Sequence, residues 1–322
     1  MITIPLLEAC VAVGGRSNKP VSPLDYVIKV TQNSREVQSG TLFVALRGNN
    51  ADGHSFVAEA EKLGAVAAVV EYEVSNVEMP QFVVPSTVEA LGDMARIWRG
   101  RLSIPVIAVT GSVGKTSTKE LIAHTLYGTF NTHKSRKNFN NQLGVPIELM
   151  RLDREHECSV VEFGMRDLNQ INYLSRIARP AFAIITNVGV SHINVLKTRE
   201  NIARAKAEIF EGVDSGGVAI LNRDDDFFEF VSRYSSCRVI TFGENRKADI
   251  KISDIHLSKE ANPIFRLNGR EVNMSSCVGK HHAYNAAIAY AVATEMGVDR
   301  ERIFERFSTF VTPLKVIFPF PV

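Results

Sequence analysis

Residues 104–126 read IPVIAVTGSVGKTSTKELIAHTL. Val106 to Val109 form the apolar run of a buried parallel strand, and Leu121, Ile122, Thr125 and Leu126 recur at helical spacing until Gly128 supplies a stop. The turn between strand and helix carries Gly111, Ser112, Val113, Gly114, Lys115, Thr116 and Ser117. In such a turn successive backbone N–H groups converge on phosphate oxygens at a helix N-terminus. The lysine reaches the β- and γ-phosphates, and the threonine hydroxyl serves Mg2+. The longer template G-x-x-x-x-G-K-[ST] asks for glycine where Val109 stands, so the chain carries the shorter G-x-x-G-K-T form from Gly111. The strand before and the helix after favour a nucleoside triphosphate site over a chance Gly-Lys turn.

Outward from this stretch, CSVVEF (158–163), AFAIIT (181–186), VAIL (218–221) and RVITF (238–242) alternate with helical segments, which predicts a doubly wound, mainly parallel α/β sheet. Residues 248–278 read as an antiparallel appendage, followed by a helix from His281 to about Met296. Upstream, TLFVAL (41–46), a helical stretch at 57–63, AVAAVVE (65–71) and a helix at 88–99 predict a small α/β domain over residues 1–102. The polar segment ahead of Pro105 is the linker into a second domain over 103–312.

Composition narrows the class. With 322 residues, 45% apolar and 22% charged, the chain has the makeup of an ordinary globular protein with room for two domains. Lysine and arginine number 37 against 35 acidic residues, so no global field recruits nucleic acid or an anionic membrane. Cys10, Cys158, Cys237 and Cys277 lack metal or disulfide spacing, and no apolar run approaches the roughly 20 residues of a membrane span. The expected setting is the cytoplasm, with reduced thiols.

Polar residues just past the apolar strands are the ones to weigh, since ligands of open α/β sheets lie there. Glu162 interrupts SVVEFGM, and a carboxylate in a buried strand needs a cation; Mg2+ beside a phosphate loop is favoured over a structural arginine. Asn187 and His192 fall in TNVGVSH after the next strand, where the histidine is as readily structural as functional. Lys206, in ENIARAKAEIF, sits beside a buried face and on its own reads as a surface lysine. His281, His282 and Asn285 open the helix of GKHHAYNAAIAY, either to cap it or to hold a base or ribose.

Together TGSVGKTSTKE, NFNNQLGVP (138–146), VVEFGM, TNVGVSHI, ARAKAEIF and GKHHAYNAA resemble, in order and spacing, the Mur ligase family of ATP-dependent amide ligases that build the peptidoglycan peptide stem. The resemblance runs from about residue 25 to 312. NSREVQSGTLFVALRGNNADGH (33–54) looks like the family's uridine-nucleotide domain and argues against folylpolyglutamate synthetase. NVLKTRENIARAK resembles the member that adds D-Ala-D-Ala to UDP-N-acetylmuramoyl-tripeptide through an acyl phosphate, more than the third-residue ligase. The resemblance implies ATP and Mg2+ as cofactors, with Lys115, Lys206, His192 and Asn187 in catalysis. It implies Thr116 and Glu162 on one metal, and His192 and a carbamylated Lys206 on a second. His281 and Asn285 would touch the nucleoside. Ser34, Arg35, Asp52, Gly53 and His54 would line the uridine site, and Asn138 and Asn141 would orient the reacting groups.

The chain departs from the family at three places. Asn33 stands where aspartate is usual, and His282 where asparagine is usual. The third domain, which closes over ATP, is expected to be absent, with an apolar tail over 313–322 in its place. Weak or no ligation is therefore expected of this form unless that domain is supplied in trans. The competing readings are a nucleotide-binding module that does not ligate, and an unrelated P-loop NTPase, for which the best-placed acid is again Glu162.

Overall fold

The structure, a computed structural model, describes residues 3–48, 51–136 and 138–312. The tail expected at 313–322 lies outside the described residues. By contact the chain divides into two units, one of residues 1–103 with 138–155, the other of residues 104–137 with 156–322.

The first unit holds strands β1 (Arg16–Ser17), β2 (Lys29–Thr31), β3 (Thr41–Val44), β4 (Ala65–Val70) and β5 (Gln81–Val83) in the order β1-β5-β4-β3-β2. All neighbours are parallel except β1 and β5. Helices α1 (Leu6–Ala12), α2 (Val57–Lys62) and α3 (Thr87–Gly100) accompany them. Phe43, Ala45, Val57, Ala60, Ala68 and Val70 are buried together, and the small alanines of β4 and α2 let helix and sheet approach. Ser86 caps α3 by accepting from the Glu89 N–H.

The contiguous boundary expected at 102/103 misses one excursion. Residues 138–155 pack with the first unit: the short helix Gly144–Leu149 lies on α3, and Trp98 Nε1 donates to Leu152 O at 2.8 Å. Buried Val145 and Leu149 supply the apolar face that makes this packing favourable.

The second unit is a nine-stranded sheet. Its elements are β6 (Val106–Thr110), α4 (Lys115–Leu126), β7 (Thr132–Lys134), β8 (Cys158–Glu162), α5 (Gln170–Ala178), β9 (Phe182–Ile185), α6 (Arg199–Ala207), β10 (Val218–Asn222), β11 (Arg238–Gly243), β12 (Ile250–Leu257), β13 (Pro263–Leu267), β14 (Arg270–Asn273), α7 (His281–Glu295) and α8 (Arg300–Thr309). The order is β14-β13-β12-β11-β10-β9-β6-β8-β7, parallel from β7 to β12 and antiparallel beyond. The expected appendage is thus an extension of the same sheet, because β12 pairs parallel to β11 at Phe242 and Gly243 before turning into the antiparallel hairpin. Helix α7 packs on α4, and Leu121, Ile122 and Leu126 share a core with Ala283, Ala286, Ala287 and Tyr290. The chain crosses from one side of β6 to the other between β8 and β9, so the end of β6 is the switch point where ligands of such sheets bind. No helix among the described residues is long and apolar enough to cross a membrane.

Candidate functional site

At the carboxyl end of β6 the chain turns through Gly111 and Gly114 into α4. Gly111 has φ 150° and Gly114 φ 82°, both in the range that favours glycine. A Cβ on Gly111 would lie 1.9 Å from Thr186 Oγ1, so the loop can pass this close to the next strand only without a side chain. The turn therefore presents backbone N–H groups at the start of a twelve-residue helix, where the helix dipole favours an anion.

The segment after β9 holds this loop in shape. Asn187 donates through Nδ2 to Val113 O at 3.0 Å and accepts at Oδ1 from the Val113 N–H at 3.1 Å. Its carbonyl accepts from the Ser112 N–H, Thr186 Oγ1 donates to Val113 O, and the Gly189 N–H donates to Ser112 Oγ. Asn187 is thereby a clamp on the phosphate loop, with both atoms of its amide engaged. A motif places asparagine near the loop, but only the fold shows which backbone groups it binds.

Lys115 donates from Nζ to Gly111 O at 2.8 Å, a contact that a phosphate would replace. Burial pushes its pKa down, opposed by the charge of Glu162. Thr116 Oγ1 donates to Glu162 Oε2 at 2.7 Å. Glu162 is 7% exposed and lies opposite Val109 in the β8–β6 register, which brings its carboxylate to the loop. Thr116 and Glu162, the residues expected to share a metal, thus bond to each other and form a hard-oxygen pair beside the phosphate cradle. Among the described residues no group of three or more His, Cys, Asp or Glu side chains comes together to hold a metal.

Lys206 is 1% exposed, which removes the surface-lysine reading. Burial pulls its pKa down to about 7, and the charge of Lys115 adds to the effect. His192 stands exposed in a left-handed conformation at φ 62°. Partial burial lowers its pKa, reinforced by the charges of Lys206, Lys115 and Arg166. Arg166 was absent from the sequence reading. A single arginine past a strand carries no periodic or motif signal.

On α7, no side chain caps the helix at its Lys280 N-cap. Asn285 is instead buried and accepts at Oδ1 from Thr118 Oγ1 at 3.0 Å, which ties α7 to α4, while its Nδ2 has no partner among the described residues. His281 has its pKa lowered by burial. His282 is buried with its pKa pushed down to about 4, by burial and then by the charge of His281.

In the first unit, Asn33 accepts from the Arg35 N–H and shapes the turn that carries Ser34. Arg35 itself is exposed. Asp52 accepts from the His54 N–H and pairs with His54 Nδ1 at 2.6 Å, while His54 Nε2 accepts from the Glu71 N–H at 2.8 Å. Tyr72 stacks on the His54 ring and donates to Asp52. These bonds, the backbone bond to His54 first, hold Asp52 down at about 2. His54 is buried with both ring nitrogens engaged, so its role in this structure is to build the turn. A Cβ on Gly53 would meet Leu46 backbone at 2.6 Å, which fixes glycine there. Asn138, at φ 63°, and Asn141, whose Oδ1 accepts from the Leu143 and Gly144 N–H groups, belong to the first unit.

Comparison with known proteins follows the same lines. Residues 109–293 match the Mur ligase middle domain, and residues 27–99 match the family's domain described as Mur ligase family, catalytic domain. The chain is 39% identical over 277 residues to a UDP-N-acetylmuramoyl-tripeptide--D-alanyl-D-alanine ligase of Synechocystis, covering 85% of this chain and 59% of that protein. It spans about three fifths of the length of this relative. The crystal structure of MurF from Acinetobacter baumannii superposes with a TM-score of 0.89 at 33% identity, covering 97% of this chain and 69% of that one. MurF from Thermotoga maritima, solved in complex with ADP, superposes with a TM-score of 0.79 at 30% identity, covering 88% and 66%. Both domain matches and a third of the residues shared over most of a solved relative lead to one conclusion: the chain belongs to the Mur ligase family.

Proposed function

We propose that the chain carries the nucleotide and carboxylate-activating machinery of an ATP-dependent amide ligase that joins D-Ala-D-Ala to UDP-N-acetylmuramoyl-tripeptide. The observation that carries the reading is the phosphate loop with Lys115 at its rim, the Thr116–Glu162 pair beside it and a buried, easily deprotonated Lys206 within the electrostatic reach of Lys115. The relatives named above support the choice of substrates.

In the proposed reaction a carboxylate oxygen of the tripeptide attacks the γ-phosphorus, and the bond from phosphorus to the β,γ-bridging oxygen breaks. ADP leaves and an acyl phosphate remains. The amine of D-Ala-D-Ala then attacks the acyl carbon, the bond to the phosphate oxygen breaks, inorganic phosphate departs and the nitrogen loses its proton to solvent. Lys115 meets the charge that develops on the transferred phosphoryl, and the loop N–H groups orient it; the contribution is electrostatic and positional. Asn187 takes up the Ser112 and Val113 N–H groups itself and so fixes the loop, leaving the N–H groups from Gly114 onward for the phosphates. When bound, Mg2+ held by Thr116 and Glu162 would neutralise phosphate charge.

Lys206 takes a distinct part. A pKa of about 7 leaves much of the amine neutral at physiological pH and nucleophilic toward CO2. Carbamate formation releases a proton and turns a cation into an anionic oxygen pair near His192, whose partial burial favours the neutral ring that a ligand needs.

Titration calorimetry of this chain with Mg-ATP and, separately, with UDP-N-acetylmuramoyl-tripeptide tests the reading, with Lys115→Ala as control. The expected result is binding of both, with nucleotide binding lost in the variant. Failure of the native chain to bind Mg-ATP would refute it.

A further inference from the structure

Arg166 has no part in the machinery described above, yet its backbone leaves the strand next to the phosphate loop. Strand β8 runs parallel to β6 with Glu162 opposite Val109. The pairing continues as the Phe163 N–H donates to Val109 O at 2.8 Å and Thr110 Oγ1 donates to Phe163 O at 2.9 Å. Gly164, buried Met165 and Arg166 therefore leave the sheet alongside the turn that begins at Gly111. The backbone of Arg166 is fixed there, its N–H donating to Gln170 Oε1 at 2.7 Å at the start of α5. Its side chain is exposed and, among the described residues, has no carboxylate partner.

From this placement we infer that Arg166 is an anion-binding residue for the terminal phosphoryl group, which it reaches from the β8 side of the loop while Lys115 reaches it from the α4 side. The inference rests on the proposed nucleotide site. A guanidinium suits the task because its planar donors pair with two phosphate oxygens at once, which an ammonium cannot do. The local charge agrees, with Lys115 and Arg166 the cations facing the loop.

The consequence is selective: Arg166 contributes to binding of a triphosphate and not of a diphosphate. The test is calorimetry with Mg2+ and either the β,γ-imido analogue of ATP or ADP, on the native chain, Arg166→Ala and Arg166→Lys. Arg166→Ala should weaken the analogue about tenfold or more while leaving ADP within about twofold. Arg166→Lys should recover part of the loss, since it keeps the charge without the paired donors. Equal weakening of both nucleotides, or no weakening of either, overturns the assignment and leaves the nucleotide site standing. A native chain that binds neither nucleotide overturns both.

Discussion

Replacing Lys206 by methionine removes a buried ammonium while keeping an unbranched apolar chain of similar length. The fall of the Lys206 pKa from the ordinary 10.5 to about 7 corresponds to about 5 kcal/mol of destabilisation of the folded state wherever the amine is protonated in both states. Relaxation and water entry soften this, so about 2–5 kcal/mol is expected. The pH dependence follows from proton counting. Below about pH 7 folded and unfolded chains both carry the proton, and the penalty is complete. Between about pH 7 and 10.5 only the unfolded chain holds it, so native stability rises with pH and the penalty fades. Urea unfolding followed by far-ultraviolet circular dichroism, in CO2-free buffers from pH 6 to 10.5, measures the difference between Lys206→Met and the native chain. The variant should be the more stable at pH 6, and its advantage should shrink steadily above pH 7. The sole tryptophan, Trp98, lies in the first unit and reports on the other fold. A difference that does not change with pH, or a variant less stable at pH 6, would refute the reasoning.

Other consequences are as direct. Gly111→Ala forces a Cβ to 1.9 Å from Thr186 Oγ1 at a backbone angle that disfavours alanine; thermal unfolding should show a loss of about 2 kcal/mol or more, with nucleotide binding abolished. Asn187→Ala removes both side-chain bonds to Val113 and should weaken Mg-ATP by about tenfold in calorimetry without touching any phosphate; unchanged affinity would show that the loop needs no clamp. Asp52, held at about 2 by its bonds to His54, stabilises the first unit above its unfolded pKa near 3.8. That contribution is lost as pH falls toward 2, so Asp52→Asn should flatten the acid limb of Trp98-detected unfolding.

Much of the second unit was legible because its signals are local. A strand, two glycines and a lysine-threonine pair determine the phosphate loop, and Glu162 announced itself as a carboxylate within an apolar run. Lys206 was ambiguous for a physical reason: helical spacing puts it at the border of a buried face, and only packing decides that it is 1% exposed. The excursion of residues 138–155 into the first unit left no mark in composition, since the contact between Gly144–Leu149 and Thr87–Gly100 joins segments far apart in sequence. The same holds for Asn285, whose bond to Thr118 spans 167 positions, and for His54, whose engagement with Asp52 and Glu71 appears only once the turn is folded. Motifs placed these residues near a site, and geometry separated those that build it from those left free to act.

The central claim is that ATP serves to activate a carboxylate. The direct measurement is isotope transfer: UDP-N-acetylmuramoyl-tripeptide labelled with 18O in its terminal carboxylate, incubated with this chain, Mg-ATP and D-Ala-D-Ala, and the released phosphate analysed by mass. The account predicts one 18O atom in each phosphate released. Unlabelled phosphate, which marks attack by water, would contradict it.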